Sequence, residues 1–214
     1  MGQSLGAYRA AVRAALGEIP TSALTADVLD QEINASYFEV LELFEHPELQ
    51  RDTTFATVSG TKEYALPSDY WWMRYVRDET NDETLLNRSL AFIRQDEDGA
   101  TGTPEYWVHE DENLMLHETP NGVFTIREWY VFRPAVLADA DDKDVLGAEW
   151  TEIIRKGAIY RAFETVGELD RGVHWWNRQR ALLNRKFEIP ARERTTSPGN
   201  IGAENPRRQY HVTR

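Results

Sequence analysis

The sequence predicts an α+β fold: a helical bundle with an inserted antiparallel β-domain and an extended C-terminal arm. Three observations predict it. Short runs rich in aromatic and β-branched residues, separated by turn chemistry, are confined to residues 53–134. On either side, apolar residues recur at helical spacing. Beyond Pro190 the chain is polar and carries Pro198, Gly199, Gly202 and Pro206, so no packed core is expected there. The expected divisions are 1–52 for the N-terminal helices of the bundle and 53–137 for the β-domain. Residues 138–189 follow as the C-terminal helices, and 190–214 as a basic arm.

Each element has its own local reason. Leu5, Tyr8, Val12 and Leu16 lie on one helical face, and Gly17 with Pro20 ends that helix. Thr25 is a suitable N-cap for a second helix reaching about Phe44, with Leu29, Ile33, Tyr37, Val40, Leu41 and Phe44 on one face. His46-Pro47 stops it, because the residue before proline is pushed out of the α region. In the β-domain, Tyr64-Ala65-Leu66 runs into Pro67 with Tyr64 and Leu66 on one face. Trp71, Trp72, Trp107 and Trp129 are expected to furnish an aromatic core, since each buried ring removes roughly 150–250 Å² from water. A third helix is expected over 148–167, marked by Trp150, Ile153, Ile154, Ala158 and Phe163. A fourth is expected over 172–189, marked by Val173, Trp176, Leu183 and Phe187 and stopped by Pro190.

Composition narrows the function. No cysteine is present, which removes disulfides and thiolate metal sites. No apolar run approaches the ~20 residues of a membrane span, and the N-terminus lacks signal-peptide regions. A soluble protein made in the cytosol is expected. The net charge of −12 is distributed unevenly: residues 1–170 carry 14 Lys and Arg against 33 Asp and Glu, and residues 171–214 carry 10 against 3. An acidic body repels nucleic acid, and a basic end seeks an acidic partner.

The search for chemistry finds no constellation. The acidic run Ala138–Asp144 fails as a calcium loop, because Lys143 falls where a ligand is needed, so a solvated linker is expected. His109 and His117, each followed by a glutamate, read as surface polar positions on adjacent strands and not as a metal site. No nucleophile elbow or phosphate-cradling loop appears. Two rivals remain: a carbohydrate-binding module presenting Trp71, Trp72 and Trp107, and a small glycan hydrolase using paired carboxylates.

The order of features is more specific than any motif. A helix through Asn34-Ala35-Ser36-Tyr37 leads to a Thr-rich strand, then Gly60-Thr61-Lys62-Glu63-Tyr64-Ala65-Leu66-Pro67 and the aromatic strand ending Arg74-Tyr75-Val76. Gly102-Thr103-Pro104-Glu105-Tyr106-Trp107, Leu114-Met115-Leu116 and Tyr130-Val131-Phe132-Arg133-Pro134 follow, closed by a helical pair. Over about residues 25–188 this resembles the head-to-tail adaptor proteins of tailed bacteriophages, especially short-tailed ones, also called connector, tail accessory or tail tubular proteins.

The resemblance implies a structural, non-enzymatic virion protein of the neck, assembled in the host cytoplasm. It implies a twelvefold ring between the portal protein and a tail nozzle or other tail protein, with no cofactor or metal and with DNA passing through unbound. It does not reach the arm. There, charge marks Arg192, Arg194, Arg207, Arg208 and Arg214, with Tyr210, as residues that seek an acidic partner, which the resemblance implies is the portal. Trp175 and Trp176 point about 100° apart on a helix, so one can pack within the protomer while the other meets a neighbouring one.

Overall fold

A computed structural model describes residues 2–44, 46–95 and 100–193. The helices are α1 (Leu5–Leu16), α2 (Ala26–Leu43), α3 (Leu90–Gln95), α4 (Ala148–Thr165) and α5 (Leu169–Glu193). The strands are β1 (Gln50–Ala56), β2 (Glu63–Ala65), β3 (Tyr70–Asp78), β4 (Glu83–Asn87), β5 (Thr101–Gly102), β6 (Tyr106–Glu110), β7 (Asn113–His117), β8 (Thr119–Pro120) and β9 (Thr125–Phe132). The fold is α+β. It divides into two compact units, one of residues 1–6 with 41–148 and one of residues 7–40 with 149 onward.

The first unit holds a seven-stranded sheet in the order β1-β9-β3-β4-β6-β7-β2. Most neighbours are antiparallel, but β4 pairs parallel with β6, and β5 with β8 form a separate parallel pair. The expected antiparallel β-domain is present, with parallel pairing added at these two places. The reason lies in the connection: between β4 and β6 the chain passes through α3, a crossover long enough to return in the same direction. Neither β4 nor α3 has a clear sequence signature, since Leu85 is the one buried residue of β4.

The aromatic core is also corrected. Trp107, 6% exposed, is buried in a largely aliphatic cluster with Val76, Leu85, Leu114, Leu116 and Ile126, whereas Trp71, Trp72 and Trp129 are half-buried. Tyr64 and Leu66 both pack against this cluster, as their shared face requires. On the other face of β6 and β7, Val108 and Met115 pack with Ile93 and Leu90 of α3, so this hairpin is covered on both sides. Along β9 the inward positions are Ile126, Glu128, Tyr130 and Phe132, all buried.

The acidic run after the sheet is more than a solvated linker. Asp142 accepts hydrogen bonds from the backbone N–H groups of Ala138 and Asp139, both at 2.8 Å, which hold its carboxyl below the usual range. Asp144 is buried and accepts from Gln3 N–H at 2.8 Å and Leu146 N–H at 2.9 Å. Leu5 N–H donates to the Asp142 carbonyl and Gly6 N–H to the Ala140 carbonyl, each at 2.8 Å. These are N–H groups that the first turn of a helix leaves without intrahelical partners. A Cβ on Gly2 would collide with the Asp144 carbonyl, so this close approach requires glycine.

In the helical unit, α1 and α2 begin and end as expected. Gly17 at φ 67° follows α1, and Thr25 caps α2 by accepting from Val28 N–H at 3.4 Å. Arg9 forms an ion pair with Asp30 across the two helices. All five apolar markers of α4 are buried, and Gly167 at φ 79° follows it. Two expectations for α5 are corrected. Val173 is 48% exposed, because the inward stripe runs through Gly172, Gln179 and Leu183. The helix also continues through Pro190 to Glu193; proline's own φ is helical, and its cost falls on one lost hydrogen bond near the helix end.

Two tests follow from the sheet. Phe132, buried beneath the Arg51 guanidinium at 3.7 Å, should cost roughly 3–5 kcal/mol on truncation to alanine. Tyr64→Ala should cost less in the same denaturant melts, since its ring is half-buried and its hydroxyl donates to the Thr61 carbonyl at 2.8 Å. Glu128 supplies the second. It is 1% exposed, its Oε1 has no hydrogen-bond partner, and burial raises its carboxyl from 4.5 to about 7. Between those values the folded chain keeps a proton that the unfolded chain has lost, so stability should fall as pH rises through this window. Glu128→Gln should therefore raise stability at pH 8 by roughly 2–3 kcal/mol and change it little at pH 4. Equal gains at both pH values would refute this assignment.

Candidate assembly surface

The expected ring-contact residues lie on α5, whose placement rests on a small-residue junction. A Cβ added to Gly157 of α4 would overlap Ser36 Oγ of α2 and Gln179 Nε2 of α5. Three helices thus meet where α4 has no side chain. Ser36 donates to the Ile154 carbonyl at 2.8 Å, while both polar atoms of the buried Gln179 amide have no partner within the described residues. Arg161 pairs with Glu39 at 3.2 Å, and Thr165 donates to Glu32 at 2.7 Å, joining α4 to α2 a second time.

Gly172, Gln179 and Leu183 form the buried line of α5. At about 100° per residue, Trp175 and Trp176 fall on opposite shoulders of that line. Both are half-buried. Trp176 lies against Tyr160 with ring centroids 5.1 Å apart and carries Arg180 at 5.6 Å. Trp175 carries Arg178 at 5.6 Å and Lys156 at 5.7 Å, and the His174 ring meets it edge-on. Each indole therefore has one face on the bundle and its own arginine, the combination of residue types that dominates protein–protein interfaces.

Of the expected portal-binding residues, Arg192 lies in the last turn of α5, and nothing of its side chain is described. Arg194, Arg207, Arg208, Tyr210 and Arg214 lie outside the described residues.

A carbohydrate platform of Trp71, Trp72 and Trp107 does not form, because Trp107 is in the core. The outward aromatic pair of the sheet is a different one. Tyr75, 42% exposed, stacks on Trp129 at 4.3 Å with the rings 17° apart. Arg127 lies over Trp129 and pairs with Asp52 and Glu79. Sequence reasoning missed this pair because its two halves lie on separate strands, brought level by the β3–β9 register. Among the described residues, no three His, Cys, Asp or Glu side chains converge as a metal site.

Comparison with known families agrees with the order of elements. The model of a family described as SU10 adaptor protein matches residues 3–202, nearly the whole chain. No curated protein matches it. The chain thus belongs to the SU10 adaptor protein family, a family of bacteriophage head-to-tail adaptors.

Proposed function

We propose that this protein is a structural, non-catalytic part of the virion that joins the portal to the tail. In this reading it assembles as a ring, twelvefold by the resemblance, around the passage for DNA, and meets a tail nozzle or related tail protein on its other side. The family match over residues 3–202 carries the reading. Charge supports it: an acidic body, −19 over residues 1–170, offers phosphates nothing to bind, so DNA slides past.

The basic C-terminal arm attaches the adaptor to the portal. Guanidinium groups suit this task because they pair with carboxylates through two parallel hydrogen bonds. Attachment through such contacts weakens as salt screens them. One of the two adjacent tryptophans, Trp175 or Trp176, contributes to contacts between protomers.

Truncation tests the arm. Because α5 extends to Glu193, the cut belongs after that residue and not after Pro190. Chains ending at Glu193 should melt within about 2 °C of the full-length protein, a change of at most about 0.5–1 kcal/mol at this size. They should also lose most of their retention on immobilised portal in moderate salt. Full retention by the truncated chain would remove the arm from the attachment, and failure of the full-length chain to bind any portal would count against the adaptor role itself.

A further inference from the structure

Charge in the helical unit is segregated by helix. Between Arg13 and Arg51 there is not one Lys or Arg, while Glu18, Asp27, Asp30, Glu32, Glu39, Glu42, Glu45 and Glu48 fall in the same stretch. Over Arg171–Lys186 the reverse holds: Arg171, Arg178, Arg180, Arg185 and Lys186 appear without a single Asp or Glu. Within the unit, part of the acidic set is already used. Asp30 is paired with Arg9, Glu39 with Arg161, and Glu32 with the Thr165 hydroxyl. Glu18 and Asp27 are exposed and form no ion pair among the described residues. On α5, Arg171 is held by Glu168 at 2.5 Å and by the Leu16 carbonyl at 3.2 Å. Arg178 and Arg185, seven positions apart and so on one flank, are exposed and form no ion pair among the described side chains, which on α5 end at Lys186. Trp175 borders that flank with Arg178 laid over its ring.

We propose that the α5 flank formed by Arg178 and Arg185, with Trp175 at its edge, is a docking surface for a second copy of this chain. The complementary surface is the acidic start of α2 and the turn before it, presented by Asp27 and Glu18. The two surfaces differ, so the contact is head-to-tail, the kind that closes into a ring when the rotation between copies allows it. The charges supply complementarity and register, and the half-buried indole at the edge supplies apolar area. The proposal deepens the ring reading and rests on it.

The chain has no cysteine, so introduced thiols report this contact without background. Full-length Arg178→Cys and Asp27→Cys chains, mixed at high concentration and oxidised, should yield a disulfide-linked dimer of one of each. Arg178→Cys mixed with Thr54→Cys, a position on the sheet unit, should not. In unmodified chains, reversing both arginines (R178E with R185E) should weaken self-association about tenfold or more, equivalent to about 1.4 kcal/mol. Reversing the acidic side (E18K with D27K) should do the same, and mixing the two reversed chains should restore association. Circular dichroism melts on each variant check that folding is intact. No specific cross-link, or no restoration on mixing, overturns the proposal. So does a mobility-shift assay in which R178E with R185E abolishes binding to duplex DNA while self-association is unchanged, which would assign the flank to phosphates. Portal retention is measured on the same samples. Portal binding without the cross-link sinks this interface alone, and the cross-link without portal binding sinks the adaptor role alone.

Discussion

The backbone hydrogen bonds between Gln3–Gly6 and Ala140–Asp144 hold the sheet-bearing unit closed on itself. The first residues of the chain and the last of that unit are far apart in sequence. What joins them is the need of the Leu5 and Gly6 N–H groups for acceptors, met by the Asp142 and Ala140 carbonyls. The buried Asp144 carboxylate adds two more acceptor contacts, at Gln3 and Leu146. An unsatisfied buried group of this kind costs about 1–3 kcal/mol, which makes the clasp all-or-none in practice.

The helical unit depends on a different constraint, steric instead of polar. Gly157 lets Ser36 and Gln179 approach α4 where any side chain would hold them off. A buried glutamine amide with no partner among the described residues is costly and suits a specific helix register better than raw stability. That register decides which shoulder of α5 carries Trp175 and which carries Trp176. The same register leaves the Arg178–Arg185 flank outward, so the small residue on α4 is what gives α5 its outer chemistry.

For an adaptor, separated charge has a simple use. In the proposed ring, surfaces of opposite sign on one chain would attract between copies, and the acidic excess would offer DNA nothing to bind. The buried Glu128 fits no such scheme. Burial raises its carboxyl, and its charge adds to the burial that raises the Tyr70 phenol. Its value to the protein has no physical account in the fold.

What the sequence by itself determined is whatever a local pattern can encode. Helical spacing marked the buried faces of α1, α2 and α4, Gly17 and Gly167 marked where helices end, and alternation put Tyr64 and Leu66 on one face. The order of these elements was enough to point to the family. Tertiary structure alone decided the rest, because each case turns on a partner distant in the chain. Trp107 is core and Trp71, Trp72 and Trp129 are not, since only the strand pairing says which face of a strand is covered. The β4–β6 pair is parallel because α3 lies between them. Val173 is outside and Gln179 inside because Gly157 draws α5 in along a line that hydrophobicity does not mark. Residues 138–144 look like a solvated linker from composition, and only the carbonyl acceptors they present to Leu5 and Gly6 make them a structural clasp.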